Sequence, residues 1–382
     1  MQEPAVGVAT PIARHRRITV KPRMCLSPHS AQAHPWFTSL RAICAVILLT
    51  LGSSASADSA LNAVVDQAEQ LDQLETLIIS RHGQVIVERG YRGHRTTTPT
   101  NIKSASKTVI SALVGIAIDK GVLTGTDQRM AELLRNDIPA DPDHRLHDVT
   151  VGNLLSMQAG LGSTSGRNYG AWVASRNWVR AALARPFEAE PGGTMIYSTG
   201  SSHLLSAILT RRTGQSTLQL ARRWLASLDD FAISAWTRDP QGIYLGGNEM
   251  AMTPRSLLAF GELYRRGGLT AAGERLLSEE WIEASWTPRT RSRYTGHGYG
   301  YGWFITSLEG EAVRYGWGYG GQMLYVVPGL EMTVVMTSNT HQPSSGAMGH
   351  RDALHRLLGR IIDAARKSAP PADQAPPPGS SA

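Results

Sequence analysis

Residues 109–118, Val109-Ile110-Ser111-Ala112-Leu113-Val114-Gly115-Ile116-Ala117-Ile118, are apolar nearly all round, and the run ends at Gly121. A helix that is hydrophobic on every side has no face to offer to water, so it must pass through the middle of a core. The rest of the fold has to be arranged around this segment. Just before it stands Asn101-Ile102-Lys103-Ser104-Ala105-Ser106-Lys107-Thr108. Residues 58–382 contain four lysines, Lys103, Lys107, Lys120 and Lys367, against more than two dozen arginines. A chain that otherwise uses Arg for positive charge keeps Lys at position 107, three residues after a serine. Arg cannot give up its proton in a protein, whereas a partly buried Lys can act as a base. One turn of helix brings Lys107 back toward Ser104, and desolvation suits it to take a hydroxyl proton. Ser104 and Lys107 therefore read as a nucleophile and its base. The helix N-terminus beside them favours developing negative charge.

The ends of the chain read differently from its middle. Arg41-Ala42-Ile43-Cys44-Ala45-Val46-Ile47-Leu48-Leu49-Thr50-Leu51 has a basic flank and an apolar run of about ten residues, too short for a bilayer span but suited to a secretory signal. Ala55-Ser56-Ala57 follows as a cleavage signal. Residues 1–57 are thus expected to be a leader, with Met1 or Met24 as its start, an uncleaved anchor as the competing reading, and a mature chain from Asp58. That chain is expected to be periplasmic or secreted, with no stable membrane insertion once processed. Residues 58–382 carry 32 Lys/Arg and 30 Asp/Glu, so the sequence pI of about 9.6 belongs largely to the leader. This balance argues against nucleic-acid binding. Both cysteines, Cys25 and Cys44, also fall in the leader, which leaves no disulfide, Cys metal site or Cys nucleophile beyond it. The Pro/Ser/Ala-rich stretch 368–382 reads as a disordered tail.

Within 58–367, residues 60–72 suit an amphipathic helix. Leu77-Ile78-Ile79 and Val85-Ile86-Val87 around His82-Gly83 suit a β-hairpin. Residues 128–275 are largely helical, with a helix starting at Thr253-Pro254. Strand-like runs at 299–305, 323–327 and 332–336 precede a helix with the stripe Leu354, Leu357, Leu358, Ile361, Ile362 and Ala365. The expected fold is α/β in the α+β sense: one antiparallel sheet assembled from both ends of the chain and flanked by helices, plus a mainly helical lobe over roughly 122–275.

Two further motifs bear on chemistry. Pro191-Gly192-Gly193 leads to Tyr197-Ser198-Thr199, and Tyr315-Gly316-Trp317-Gly318-Tyr319-Gly320-Gly321 leads into a strand. The second fits G-x-G-x-x-G by spacing, but a dinucleotide fingerprint must open a helix, so no nucleotide cofactor is expected. With Ser104-x-x-Lys107, Val151-Gly152-Asn153-Leu154-Leu155-Ser156-Met157 and Met252-Thr253-Pro254-Arg255, these segments resemble the serine β-lactamase, penicillin-binding protein and carboxylesterase superfamily, especially its class C-like serine hydrolase branch. The resemblance covers nearly all of residues 70–365 and implies a β-lactamase-like fold. It also implies a proton-relay role for Tyr197. The Gly-rich strand would lend a backbone N–H to an oxyanion hole beside that of Ser104, from Tyr319 or, one register on, Gly320.

Two departures shape the expected substrate. Thr199 stands where the family's Y-x-N has Asn, and Gly316 or Trp317 stands where its K-T-G has Lys, so Thr199 and Trp317 are assigned to the substrate pocket. Without that lysine a carboxylate-bearing β-lactam loses its anchor, which favours a small-molecule ester or simple amide. The alternatives are β-lactamase or D-amino-acid peptidase action, or a non-catalytic peptidoglycan or ligand sensor. His144, His147, His350 and His355 form no metal motif, and no G-x-S-x-G elbow occurs. Neither a metal nor an organic cofactor is expected. The aromatics Tyr299, Tyr301, Trp303, Trp317 and Tyr319 suit either an acyl pocket or sheet packing.

Overall fold

The computed structural model describes residues 60–343 and 349–367. The expected leader with its cleavage site and the Pro-rich stretch 368–382, expected to be a disordered tail, lie outside the described residues. The described residues open with a helix over 60–67, tightened at its end into a 3₁₀ turn Ala68–Gln70. Strands β1 (Leu74–Arg81) and β2 (Gln84–Gly90) then form the expected hairpin, with His82 at φ 50° and Gly83 at φ 78° in its two-residue turn. Three short strands, β3 (Thr100–Asn101), β4 (Ala235–Trp236) and β5 (Met250–Met252), make a separate small sheet. The remaining strands are β6 (Thr290–Arg291), β7 (Gly298–Tyr299), β8 (Phe304–Leu308), β9 (Glu311–Gly318), β10 (Gln322–Val327) and β11 (Met332–Ser338).

The large sheet has eight strands in the order β2-β1-β11-β10-β9-β8-β7-β6. Every pairing is antiparallel, and β1 zips to β11 with Leu77 opposite Met336 and Ile79 opposite Val334. The sheet is thus closed from both ends of the chain, as expected. Its central strands are apolar on both faces because both faces are covered. Ile78, Leu324, Val326 and Val335 pack toward the Lys107–Asp119 and Pro254–Arg265 helices. Leu77, Ile79, Met323, Tyr325, Val334 and Met336 pack toward the His350–Lys367 helix, whose stripe of Leu354, Leu357, Leu358, Ile361, Ile362 and Ala365 is fully buried.

The Lys107–Asp119 helix is buried from Lys107 through Ala117, which is the central position its composition demands. Thr253 caps the Pro254–Arg265 helix by accepting from the Ser256 N–H, with Pro254 at the first helical position. Two expectations need correction. The run 299–305 is not one strand: β7 and β8 are separated because the Tyr301 and Gly302 N–H groups bond to Ser285 and Leu155 carbonyls outside the sheet. The stretch 128–275 holds α-helices from Met130–Leu133 to Pro254–Arg265, but long loops and the strands β4 and β5 separate them, so it is less helical than expected. Strands of two and three residues leave no alternation to read in the sequence.

Candidate active site

The small sheet positions the nucleophile. β3 pairs with β5, and the Ile102 N–H donates to the Met250 carbonyl, so the chain entering the Ser104 turn is tied to the chain leaving Gly247-Asn248-Glu249. Asn101 reinforces this join: its Oδ1 accepts from the Lys103 N–H and its Nδ2 donates to Glu249. Lys103 follows with φ 50°, a conformation that needs outside support in a non-glycine residue. Ser104 then lies in a 3₁₀ turn, Lys103–Ser106, that runs directly into the Lys107–Asp119 helix.

Lys107 is 3% exposed, and its Nζ lies 3.0 Å from Ser104 Oγ, 2.7 Å from the Gly247 carbonyl and 3.4 Å from Thr199 Oγ1. Among the described residues no carboxylate pairs with it. Burial alone acts on the ammonium and pulls its pKa down to about 7. The Gly247 carbonyl can only accept, so it fixes one N–H of the amine and leaves a lone pair free to face the serine hydroxyl. Gly247 itself has φ +77°, and a Cβ there would stand 2.5 Å from Lys107 Cγ. Sequence reasoning missed this contact because a backbone carbonyl 140 positions away has no side-chain signature.

Tyr197 reaches the same point from the other side. Burial pushes its pKa up to about 12, with the nearby Ser104 side chain acting the other way, so it enters neutral. Lys107 Nζ sits 4.9 Å from the Tyr197 ring centroid. Ser163 Oγ donates to the Tyr197 carbonyl at 2.7 Å and anchors the turn. Thr199, two residues on, opens the Thr199–Thr213 helix, and its N–H donates to Ser165 Oγ at 2.8 Å. Sequence reasoning put Thr199 in the substrate pocket. It does line that cavity, but its hydroxyl also contacts Lys107. Ser163 and Ser165 carried no motif and went unread.

Ser104, Tyr197 and Thr199 open onto a cavity of about 1070 Å³, with Ser163, Tyr169, Asn248, Glu249, Tyr294, Phe304, Trp317 and Tyr319 among its walls. β9 forms one side: its backbone at Gly316 and Gly318 passes close against Thr108 and the Ile102 carbonyl, beside the nucleophile turn. Tyr319, 49% exposed, is on the cavity wall. Gly320 faces Asn339 and Thr340 in the turn that closes β9 onto β10. Of the aromatics singled out in the sequence, Trp317 and Tyr319 reach the cavity, whereas Tyr299, Tyr301 and Trp303 are core residues.

The cavity is not without cations, contrary to what the missing K-T-G lysine implies. Arg351 lies over the Trp317 ring at 5.0 Å from its centroid and pairs with Asp352 at 2.8 Å; Arg293 lines the same mouth. The Arg351 signal was hidden because it comes from the last helix. His350 and His355 bond to Ser338 and Tyr325 hydroxyls, and His144 is a surface residue. Among the described residues no cluster of His, Cys, Asp or Glu could hold a metal ion, and no helix is long and apolar enough to cross a membrane.

A family model described as Beta-lactamase matches residues 71–358. No curated protein matches the chain. Among solved structures, the chain is similar to EstCE1, a hydrolase with promiscuous acyltransferase activity, at TM-score 0.64 and 20% identity over 81% of this chain and 99% of that one. A family VIII carboxylesterase aligns at TM-score 0.63 and 18% identity, covering 83% and 98% of the two chains. A penicillin-binding protein homolog from Caulobacter crescentus aligns at TM-score 0.62 and 18% identity, covering 81% and 97%. At these identities the likeness is one of fold, and that fold is the expected β-lactamase-like one.

Proposed function

The chain belongs to the Beta-lactamase family, and from that premise we propose that it is a serine hydrolase acting on a small-molecule ester or simple amide. The observation that carries this reading is the Lys107 amine, 3.0 Å from Ser104 Oγ, with a pKa near 7 and no carboxylate partner among the described residues. Such a lysine is unprotonated in an appreciable fraction of molecules at neutral pH, which is what a general base needs and a binding residue does not.

Lys107 takes the Ser104 proton as Oγ attacks the substrate carbonyl. The Ser104 N–H, with that of Tyr319 as its partner, receives the charge on the carbonyl oxygen. Neutral Tyr197 passes its proton to the leaving alcohol or amine and is replenished by Lys107. Water then attacks the acyl-serine ester, with Lys107 again as base, and the acid product and free Ser104 hydroxyl are restored. Solved neighbours titled carboxylesterase and hydrolase agree with this reading. Arg351 favours a second one, in which the cavity accepts substrates carrying a carboxylate, β-lactams included. In either case we place the mature protein outside the cytoplasm, exported by the segment 1–57.

Intact-mass analysis after separate incubation with a fluorophosphonate and a penicillin tests this. A single fluorophosphonate adduct on Ser104, lost in Ser104→Ala together with p-nitrophenyl ester turnover, is expected. A lasting penicillin adduct on Ser104 would favour the second reading, and undiminished turnover in the Ala variant would remove Ser104 from the reaction.

A further inference from the structure

Behind the base, outside the cavity, lies a buried polar pair with no part in the chemistry just described. His203 and Asp239 are both fully inaccessible as side chains, with His203 Nε2 3.1 Å from Asp239 Oδ2. The Trp172 and Trp178 rings close over the imidazole at centroid distances of 5.6 and 5.7 Å. A buried polar pair of this kind is weak evidence for stability, since apolar residues would fill the space as well. Its hydrogen bonds show what it does instead.

The other imidazole nitrogen, Nδ1, accepts from the Gly246 N–H at 3.4 Å. An acceptor nitrogen carries no proton, so the proton is on Nε2 and is donated to Asp239: the contacts fix the tautomer. Asp239 is held in turn, because its Oδ1 accepts from the Gln241 and Ile243 N–H groups at 2.8 Å each. Gly246 presses onto the helix that carries His203, where a Cβ on it would stand 2.1 Å from the Ser202 carbonyl oxygen. Gly246 is followed by Gly247, whose carbonyl bonds Lys107 at 2.7 Å. His203 belongs to the same Thr199–Thr213 helix whose first residue contacts Lys107 from the other side.

We propose that His203, oriented by Asp239, is a positioning residue that sets the Gly247 carbonyl and Thr199 in register around the Lys107 amine. The inference rests on the serine hydrolase reading. The pair touches neither substrate nor Ser104. It fixes which direction around Lys107 Nζ is taken by an acceptor and which is left for the serine.

Two substitutions separate this role from simple packing. In His203→Asn the side-chain oxygen can stand in for Nδ1 and still accept from Gly246, but Asp239 Oδ2 loses its donor. In His203→Gln the amide nitrogen can stand in for Nε2 and still donate to Asp239, but Gly246 loses its acceptor. A buried carboxylate oxygen left without a donor is destabilising, and Oδ2 is so left even though Oδ1 keeps its two N–H groups, so the Asn variant should melt lower. Positioning through Gly246 nevertheless predicts the Asn variant to keep the higher kcat, with the Gln variant about tenfold lower or more and KM unchanged in both. Activity that follows melting temperature, with Gln above Asn, would overturn the proposal. Should His203→Asn fail to fold, Asp239→Asn serves in its place. An Asn nitrogen facing Nε2 forces the Nδ1–H tautomer against the Gly246 N–H, so kcat should fall by a similar factor at constant KM. Wild-type kcat in a folded Asp239→Asn variant would also overturn it. Wild-type turnover and Ser104 labelling, measured alongside, report on the hydrolase reading separately from either result.

Discussion

Ser104 stands between two regions built on opposite electrostatic plans. On its inner side, the groups around Lys107 are a backbone carbonyl, two hydroxyls and an aromatic face. On its outer side, the cavity mouth carries charge of both signs, including two pairs: Lys103 with Glu249 at 3.2 Å, and Arg351 with Asp352 at 2.8 Å. Lys103 and Lys107 lie in the same short segment, yet one is an ion-pair member and the other has no ion partner among the described residues. The lesson is that burial without a counter-ion makes it easier for a lysine to lose its proton, whereas a carboxylate beside a part-exposed lysine holds the charge in place. Chemistry is assigned to the inner region and substrate choice to the outer one.

The largest effect that would break this contrast concerns Lys107→Arg. Arg keeps the charge but cannot release the proton, so kcat/KM on an activated ester should drop about 10²–10⁴-fold in a variant whose melting curve shows it folded. Near-native turnover would mean that Lys107 contributes only electrostatics. Tyr197→Phe should cost about 10²-fold, and on the proposed relay, in which Tyr197 and Lys107 handle the same proton, the double variant should lose less than the two factors multiplied. Additive losses, measured on the same ester, would separate the two side chains.

Effects in the outer region should be smaller and should fall on KM. Arg351→Ala is expected to raise KM about threefold to tenfold for esters bearing a carboxylate while leaving neutral esters unchanged, as fits one partly paired charge. A matching loss on neutral esters would show that Arg351 acts through Trp317 packing instead. Smallest of all, Lys103→Ala should change kcat/KM by no more than about fivefold, since a part-exposed ion pair contributes only about 0.2–1 kcal/mol. A loss approaching that of Lys107→Arg would erase the distinction between the two lysines.

How much of this was legible in the sequence follows the same division. Ser104 and Lys107 could be paired because a fixed helical spacing links them, and the all-apolar run after them announced its own burial. Tyr197 was singled out through the family resemblance that its Pro-Gly-Gly turn helped to carry, and the closing sheet through three apolar runs and a striped helix. Gly247, Ser163, Ser165 and the His203–Asp239 pair could not be read. They act through backbone groups or through contacts between segments far apart in the chain, and neither leaves a periodic or spaced pattern. The split of 299–305 into β7 and β8 was hidden for a like reason, since its cause is a pair of carbonyls on other segments. Arg351 escaped notice because the place of a missing lysine was sought in β9 alone, while the cation comes from the final helix.

The most direct test of the central claim is the pH dependence of kcat/KM for the wild-type protein on a neutral activated ester. The base must be unprotonated to act, and burial has lowered the Lys107 pKa to about 7, so activity should be low at pH 5 and rise with pH through an apparent pKa near 7. Tyr197, at about 12, should add no falling limb below pH 10. A profile that is flat from pH 5 to 9, or that rises only near the ordinary lysine value, would contradict the account.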